Sequence, residues 1–377
     1  MLYTFMDNSL ARPRNRHIDI LRAFAIILVV IGHTGTIPGA EWGYFHFPLM
    51  SYHMALFLFI SGYLFRDLTW GEYPSFLWRK PKNLALPLIG WNIVYAGIVS
   101  ILSAHAVVDY LQPIQGIWTY RSLFIEPFVT GHQYILNLAT WFVGMLYPAL
   151  LLFGIMNILL RRWVTDHGLM ALYTVIAVAG LALTELRDSN VLWIVPLHAS
   201  YALFFIHFGK YYRQYIEPRL ASLNSWIIIS VCAFFQYLTV QIGGWHLYSP
   251  SFMLFDGRIV MPLLMAITGV IMWTHIARIV EKYVVPNKLE KAISQSTWDI
   301  MTHHIFVKFM IGWVLVHWAI EPELTSSFRS TIWFVPTKFD YWGLIFWEVA
   351  LPVLWHYVFE YMKKPMVVMY SRLKSSM

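Results

Sequence analysis

Two ionisable side chains inside the most apolar part of the N-terminal region pose the first chemical question. In RAFAIILVVIGH, residues 22–33, Arg22 and His33 bracket ten uncharged residues. A helix turns once every 3.6 residues, so eleven steps make close to three turns. Both side chains then fall on nearly the same side, about 16 Å apart along the axis. Asp19, three residues before Arg22, joins that side. An arginine near a helix end can simply snorkel to a membrane surface, which accounts for Arg22 taken alone. His33 asks for more, because an ionisable group within an apolar span faces the bundle interior or a water-filled cavity and is a functional candidate by default. Imidazole also exchanges protons near neutral pH, as a general base must.

The next apolar run, FHFPLMSYHMALFLFISGYLF at residues 45–65, carries His53 in its first half. If the first two spans are antiparallel neighbours, His53 lies at a depth similar to His33. Ser61 and Gly62 are small residues of the kind that let membrane helices approach closely. The basic stretch FLWRKPKNLALP, residues 76–87, has the plain reading of a cytoplasmic anchor.

The elements that must hold these groups are membrane helices. Hydrophobic residues make up 58% of the 377 and charged residues only 12%, too little charge to cover a soluble fold of this length. Apolar stretches of about twenty residues fall near 17–36, 48–65, 84–104, 137–160, 169–184, 191–208, 223–240, 258–280, 299–320 and 343–362. The expected fold class is therefore all-α, a polytopic bundle of about ten transmembrane helices. Basic residues test the count. They gather before the first span (Arg12, Arg14, Arg16) and after the even ones: Arg66, Arg79, Lys80 and Lys82; Arg161 and Arg162; Lys210, Arg213 and Arg219; Arg278, Lys282, Lys288 and Lys291; Lys363, Lys364, Arg372 and Lys374. The segments after odd spans are poor in them. The positive-inside rule then puts both termini in the cytoplasm. This distribution assigns the net charge of +7 to membrane topology, so no nucleic-acid partner is expected. The lone cysteine, Cys232, excludes an internal disulfide.

The first span reads as retained, since its core is longer and more polar than a secretory signal requires. The stretch 105–136, with Trp118, Phe124 and Phe128, is expected on the outer surface or folded back over the bundle. Neither a repeat nor a low-complexity linker is visible. The chain reads as a single membrane-embedded domain over 1–377 without an appended soluble domain.

Several blocks together resemble the acyltransferase-3 family of integral membrane O-acyltransferases, and especially its branch related to fucose O-acetylases that modify bacterial polysaccharides. The blocks are IDILRAFAIILVVIGH, SYHMALFLFISGYLF, the basic stretch ending at Pro87, TWFVGMLY at 140–147 and ISQSTWDIMTHHIFV at 293–307. The resemblance covers nearly the full chain. It implies transfer of an acyl group, usually acetyl, from a cytoplasmic acyl-CoA to a sugar hydroxyl of a polysaccharide or its lipid-linked precursor, in a bacterial cytoplasmic (inner) membrane. Acetyl-CoA would be a donor substrate, with no bound cofactor and no metal. The partners implied are acyl-CoA, the saccharide acceptor, the bilayer and other polysaccharide-biosynthesis proteins.

On this resemblance, Arg22, Arg79 and Lys82 would hold the donor's phosphates and His304 would line the donor path. His33 would be general base or, alternatively, a covalent acyl carrier, with Asp19 orienting Arg22. His53 and Trp141 would serve the acceptor or an auxiliary role. Two departures stand out. Lys82, with Asn83 after it, occupies a region where the family often carries a second arginine, and lysine lacks the bidentate fork. Ala55 stands where the branch often has proline.

Other classes make different demands. A transporter or flippase for a lipid-linked sugar would also use intramembrane Arg and His, but predicts internal symmetry, and none is visible. A metalloenzyme would show a His-x-x-x-His or related spacing. The chain has neither, and His303 and His304 point two ways on a helix. A purely structural subunit would not need the polar stripe.

Overall fold

The computed structural model describes residues 15–34, 52–105, 107–113, 116–243, 248–255, 257–336 and 341–375. Arg12, Arg14 and the expected start of the second span at 48–51 lie outside the described residues, as do the side chains of Lys363, Lys364, Arg372 and Lys374.

Among the described residues, ten apolar helices answer the ten apolar runs. Eight are long enough to cross a bilayer: α1 (Arg16–Thr34), α3 (Tyr73–Ala104), α4 (Ile135–Leu160), α6 (Val191–Leu220), α7 (Ser225–Gly243), α8 (Val260–Tyr283), α9 (Thr297–His317) and α10 (Tyr341–Ser375). Two are shorter, α2 (His53–Tyr63) and α5 (Asp166–Ala182). No strand forms among the described residues beyond an isolated antiparallel pairing of Ser249 with Leu254. The protein is a polytopic helical membrane protein. Backbone groups that hydrogen-bond within each helix are what permit this in hydrocarbon.

Burial orders the bundle from centre to rim. Within the most apolar window of α1, 72% of residues are buried, against 22% in α7. α1 lies in the core and packs against α2, α8, α9, α10 and the short helix Lys288–Gln295. α7 instead presents Trp226, Ile227, Val231, Phe234 and Phe235 outward, a contiguous apolar face suited to lipid rather than water.

Local chemistry sets the element ends. Asn287 accepts a hydrogen bond from the Glu290 amide at 2.7 Å and starts Lys288–Gln295, and Thr165 accepts from Gly168 at 3.2 Å and starts α5. The helix α3 begins eleven residues before the expected span at 84. Pro81 does not break it, because a widened π-helical turn over Pro81–Ala85 absorbs the missing amide. The described residues of 116–136 fold back onto α3, where Asn92 Nδ2 donates to the carbonyls of Ser122 and Leu123 at 2.8 and 3.0 Å.

Candidate active site

The site is built on α1 and α9. At the N-terminal end of α1, Arg16 makes a paired salt bridge with Glu290, Nε to Oε1 at 3.1 Å and Nη2 to Oε2 at 2.8 Å. It ties α1 to helix Lys288–Gln295. One turn later, Asp19 is buried, accepts from Ser294 Oγ at 3.3 Å and lies 3.6 Å from Arg22 Nη1. Arg22 is partly exposed, and Asp19 is its one ionic contact among the described residues. A guanidinium held this loosely keeps most of its donors for another anion.

Further along α1, the ring of His33 meets that of His304 on α9. The nitrogens His33 Nδ1 and His304 Nε2 are 3.3 Å apart, with ring centroids at 5.1 Å. The backbone assigns the protons. His304 Nδ1 lies 2.8 Å from the Ile300 carbonyl and His33 Nδ1 lies 2.9 Å from the Val29 carbonyl. A carbonyl only accepts, so in the neutral rings both Nδ1 atoms carry the hydrogen. His304 Nε2 then accepts a share of the His33 Nδ1 hydrogen, and the lone pair of His33 is left on Nε2. No hydrogen bond to that nitrogen occurs among the described residues. A neutral imidazole with this nitrogen open is chemically able to accept a proton.

His304 therefore sits beside His33, deeper than an inner-end residue of the ninth span would be. The register explains it. Asp19 pairs with Ser294 before α9 has begun, so helix Lys288–Gln295 lies level with the start of α1 and α9 runs on from there beside it. His303 points the other way, its Nδ1 2.9 Å from Tyr95 Oη and its ring 4.3 Å from Trp91. His53, at the start of α2, is buried and within electrostatic reach of His33.

Arg79 and Lys82 are exposed on α3, with Lys82 Nζ 4.5 Å above the Trp78 ring. Among the described residues no hydrogen bond or ion pair joins either to Arg22, His33 or His304. Trp141 is buried at the N-terminus of the regular part of α4, against His132 and His198. Gly131 is required there: its φ is +69°, and a Cβ would overlap Trp141. A cavity of about 280 Å³ beside it is lined by Tyr110, Glu126, Thr130, His132 and Gln133, and by none of the α1 or α9 residues named above. Among the described residues no group of three His, Cys, Asp or Glu is arranged to hold a metal ion.

The acyltransferase-domain pattern of the acyltransferase-3 family matches residues 15–337. The chain belongs to that family. The match takes in the His33–His304 pair, the Asp19–Arg22 pair and the α3 basic stretch, and it makes the protein a membrane acyltransferase. No curated protein and no solved structure matches the chain.

Three neighbours of His33 escaped the sequence reading. Lys308 is buried and donates to the His33 and Thr34 carbonyls, Glu348 on α10 accepts from Thr34 Oγ1 at 2.9 Å, and Trp333 stacks on the His33 ring at 6.0 Å. A signal for Lys308 was present in the sequence. It follows His304 by four residues, on one helix face, in a span where a lysine is costly.

Proposed function

We propose that this acyltransferase-3 protein is an O-acyltransferase, acetyl-CoA being the first donor to consider. It takes the acyl group from cytoplasmic acyl-CoA to a sugar hydroxyl of an exported or cell-surface polysaccharide, or its lipid-linked precursor, in a bacterial cytoplasmic membrane. The observation that carries the reading is the contact of His33 Nδ1 with the Val29 carbonyl and His304 Nε2, which leaves Nε2 without a hydrogen bond among the described residues, in a chain of an acyltransferase family. His33 Nε2 takes the proton of the sugar hydroxyl as its oxygen attacks the thioester carbonyl. The carbon–sulfur bond breaks, and the departing thiolate takes up that proton as free CoA thiol. Arg22, oriented by Asp19, holds a donor phosphate about 16 Å away along α1. The long pantetheine arm of CoA suits that separation. Arg79 and Lys82 attract the anionic donor from the exposed surface of α3, and His53 and Trp141 serve the acceptor side.

The test uses membranes containing the protein, acetyl-CoA labelled with ¹⁴C in the acetyl group and ³H in the CoA moiety, and polysaccharide or lipid-linked saccharide acceptors. The reading expects ¹⁴C alone in the saccharide fraction, with release of free CoA. Movement of unmodified saccharide across the membrane, with no ¹⁴C incorporated, would contradict it and favour a flippase.

A further inference from the structure

We infer that Lys308 is a positioning residue for His33, acting with Thr34 and Glu348 as a clamp on the C-terminal turn of α1. The inference deepens the proposed acyl transfer and rests on that reading for its purpose, although the clamp itself stands on geometry.

A helix leaves its last carbonyls without amide partners and carries partial negative charge at that end. On α1 those carbonyls include His33 and Thr34, and the Lys308 ammonium donates to them at 3.0 and 2.8 Å. Two of its three hydrogens are thereby used. The remaining side of the ammonium lies between the rings of Trp333 and Phe334, 5.6 and 5.4 Å from their centroids, as in cation–π contacts. Among the described residues its polar contacts are those two carbonyls and its flank is covered by aromatic faces. It acts through the residue it holds.

That residue is clamped from three sides. Trp333, under the ammonium, also stacks on the His33 ring with an interplanar angle of 15°. Thr34 Oγ1 bridges the Val30 carbonyl, at 2.8 Å, and Glu348 Oε2, at 2.9 Å. Lys308 is 1% exposed and Glu348 is 0% exposed. A lone buried charge is untenable in this setting, and the carboxylate supplies the opposite sign through Thr34. Among the described residues, the charges and titratable groups facing His33 are thus His53, His304, Lys308 and Glu348. The clamp holds the tautomer by keeping the Val29 carbonyl and His304 Nε2 on the same side of the ring.

The closing experiment needs no acyl acceptor. Protein labelled with ¹⁵N at histidine, in detergent micelles, is compared with Lys308→Met, Glu348→Gln and the double variant. The His33 signal is identified by its loss in His33→Gln. Wild type is expected to show one neutral tautomer with hydrogen on Nδ1. In Lys308→Met the His33 signal should become a mixture of tautomers, with the hydrogen shared between Nδ1 and Nε2. The double variant, which leaves no unpaired charge, should stay monodisperse and show the same tautomer mixing. An unchanged His33 spectrum in a folded Lys308→Met or double variant would overturn the inference, whether or not wild type transfers acetyl groups. Transfer by wild type with an unchanged His33 spectrum would leave the proposed function standing and remove the clamp.

Discussion

His304 Nε2 lies 3.3 Å from His33 Nδ1, and each of these two rings has its own Nδ1 against the carbonyl four residues back in its helix. The pair thereby assigns unequal roles to chemically equal rings: His304 receives a hydrogen and His33 is left with the open lone pair.

His304→Gln should accordingly impair catalysis without abolishing it. Loss of the tautomer-fixing partner is expected to lower kcat about ten- to a hundredfold, short of the full 10²–10⁴ that a general base contributes. The acyl-CoA KM should stay within about twofold. Steady-state kinetics with acetyl-CoA varied checks this, and a His304→Gln enzyme with wild-type kcat would remove His304 from the site.

Arg22 is loosely tied to Asp19 and partly exposed, so its expected contribution is to donor binding. Arg22→Lys keeps the charge and loses the fork, which should raise the acyl-CoA KM about tenfold, the equivalent of one charge-assisted hydrogen bond. The thermal midpoint should hardly move. Direct binding of desulfo-CoA, a non-reactive donor analogue, gives the same comparison without an acceptor.

The α2–α6 contact predicts a stability effect far from the chemistry. A Cβ on Gly62 would overlap the Ile206 carbonyl, and one on Gly209 would overlap that of Phe59, so the two backbones pass with no room for a methyl group. Gly62→Ala or Gly209→Ala should each destabilise by about 1–3 kcal/mol or more, read as a lower thermal midpoint in detergent. Gly97→Ala, whose Cβ would meet open space, should be neutral.

His132, in the segment before α4, has its imidazolium form disfavoured by burial and then by the nearby His198, which together push its pKa down to about 3. Above about 6.5 the ring is neutral in both folded and unfolded chains. Between about 6.5 and 3 only the unfolded chain takes up the proton, so stability falls as the pH falls through that window. His132→Gln should flatten this acid loss of thermal stability, seen as a smaller midpoint difference between pH 6.5 and 4.5 than in wild type.

Much of this was legible in the sequence because hydrocarbon imposes strong rules. Twenty-residue apolar runs gave the helices, and the spacing of Asp19, Arg22 and His33 gave the polar side of α1 before any packing was known. Ser61 and Gly62 were readable as a close-approach site, and Gly62 is one. The vertical offset between helices was not readable. An apolar run tells where a helix can sit in the bilayer, but the level at which α9 meets α1 depends on helix Lys288–Gln295, whose charged surface hides it from an apolar scan. For that reason the level of His304, beside His33, was not readable from the apolar run alone. Lys308 and Glu348 come from α9 and α10 to one point below Thr34, and only tertiary packing shows that two costly charges offset each other there.

The central claim is that His33 takes the proton in acyl transfer. The most direct measurement is the rate of ¹⁴C-acetyl transfer to saccharide by His33→Ala and wild type at equal amounts of monodisperse protein. The account predicts a drop of about 10²-fold or more in kcat, with desulfo-CoA binding preserved. Transfer by His33→Ala at the wild-type rate would contradict it.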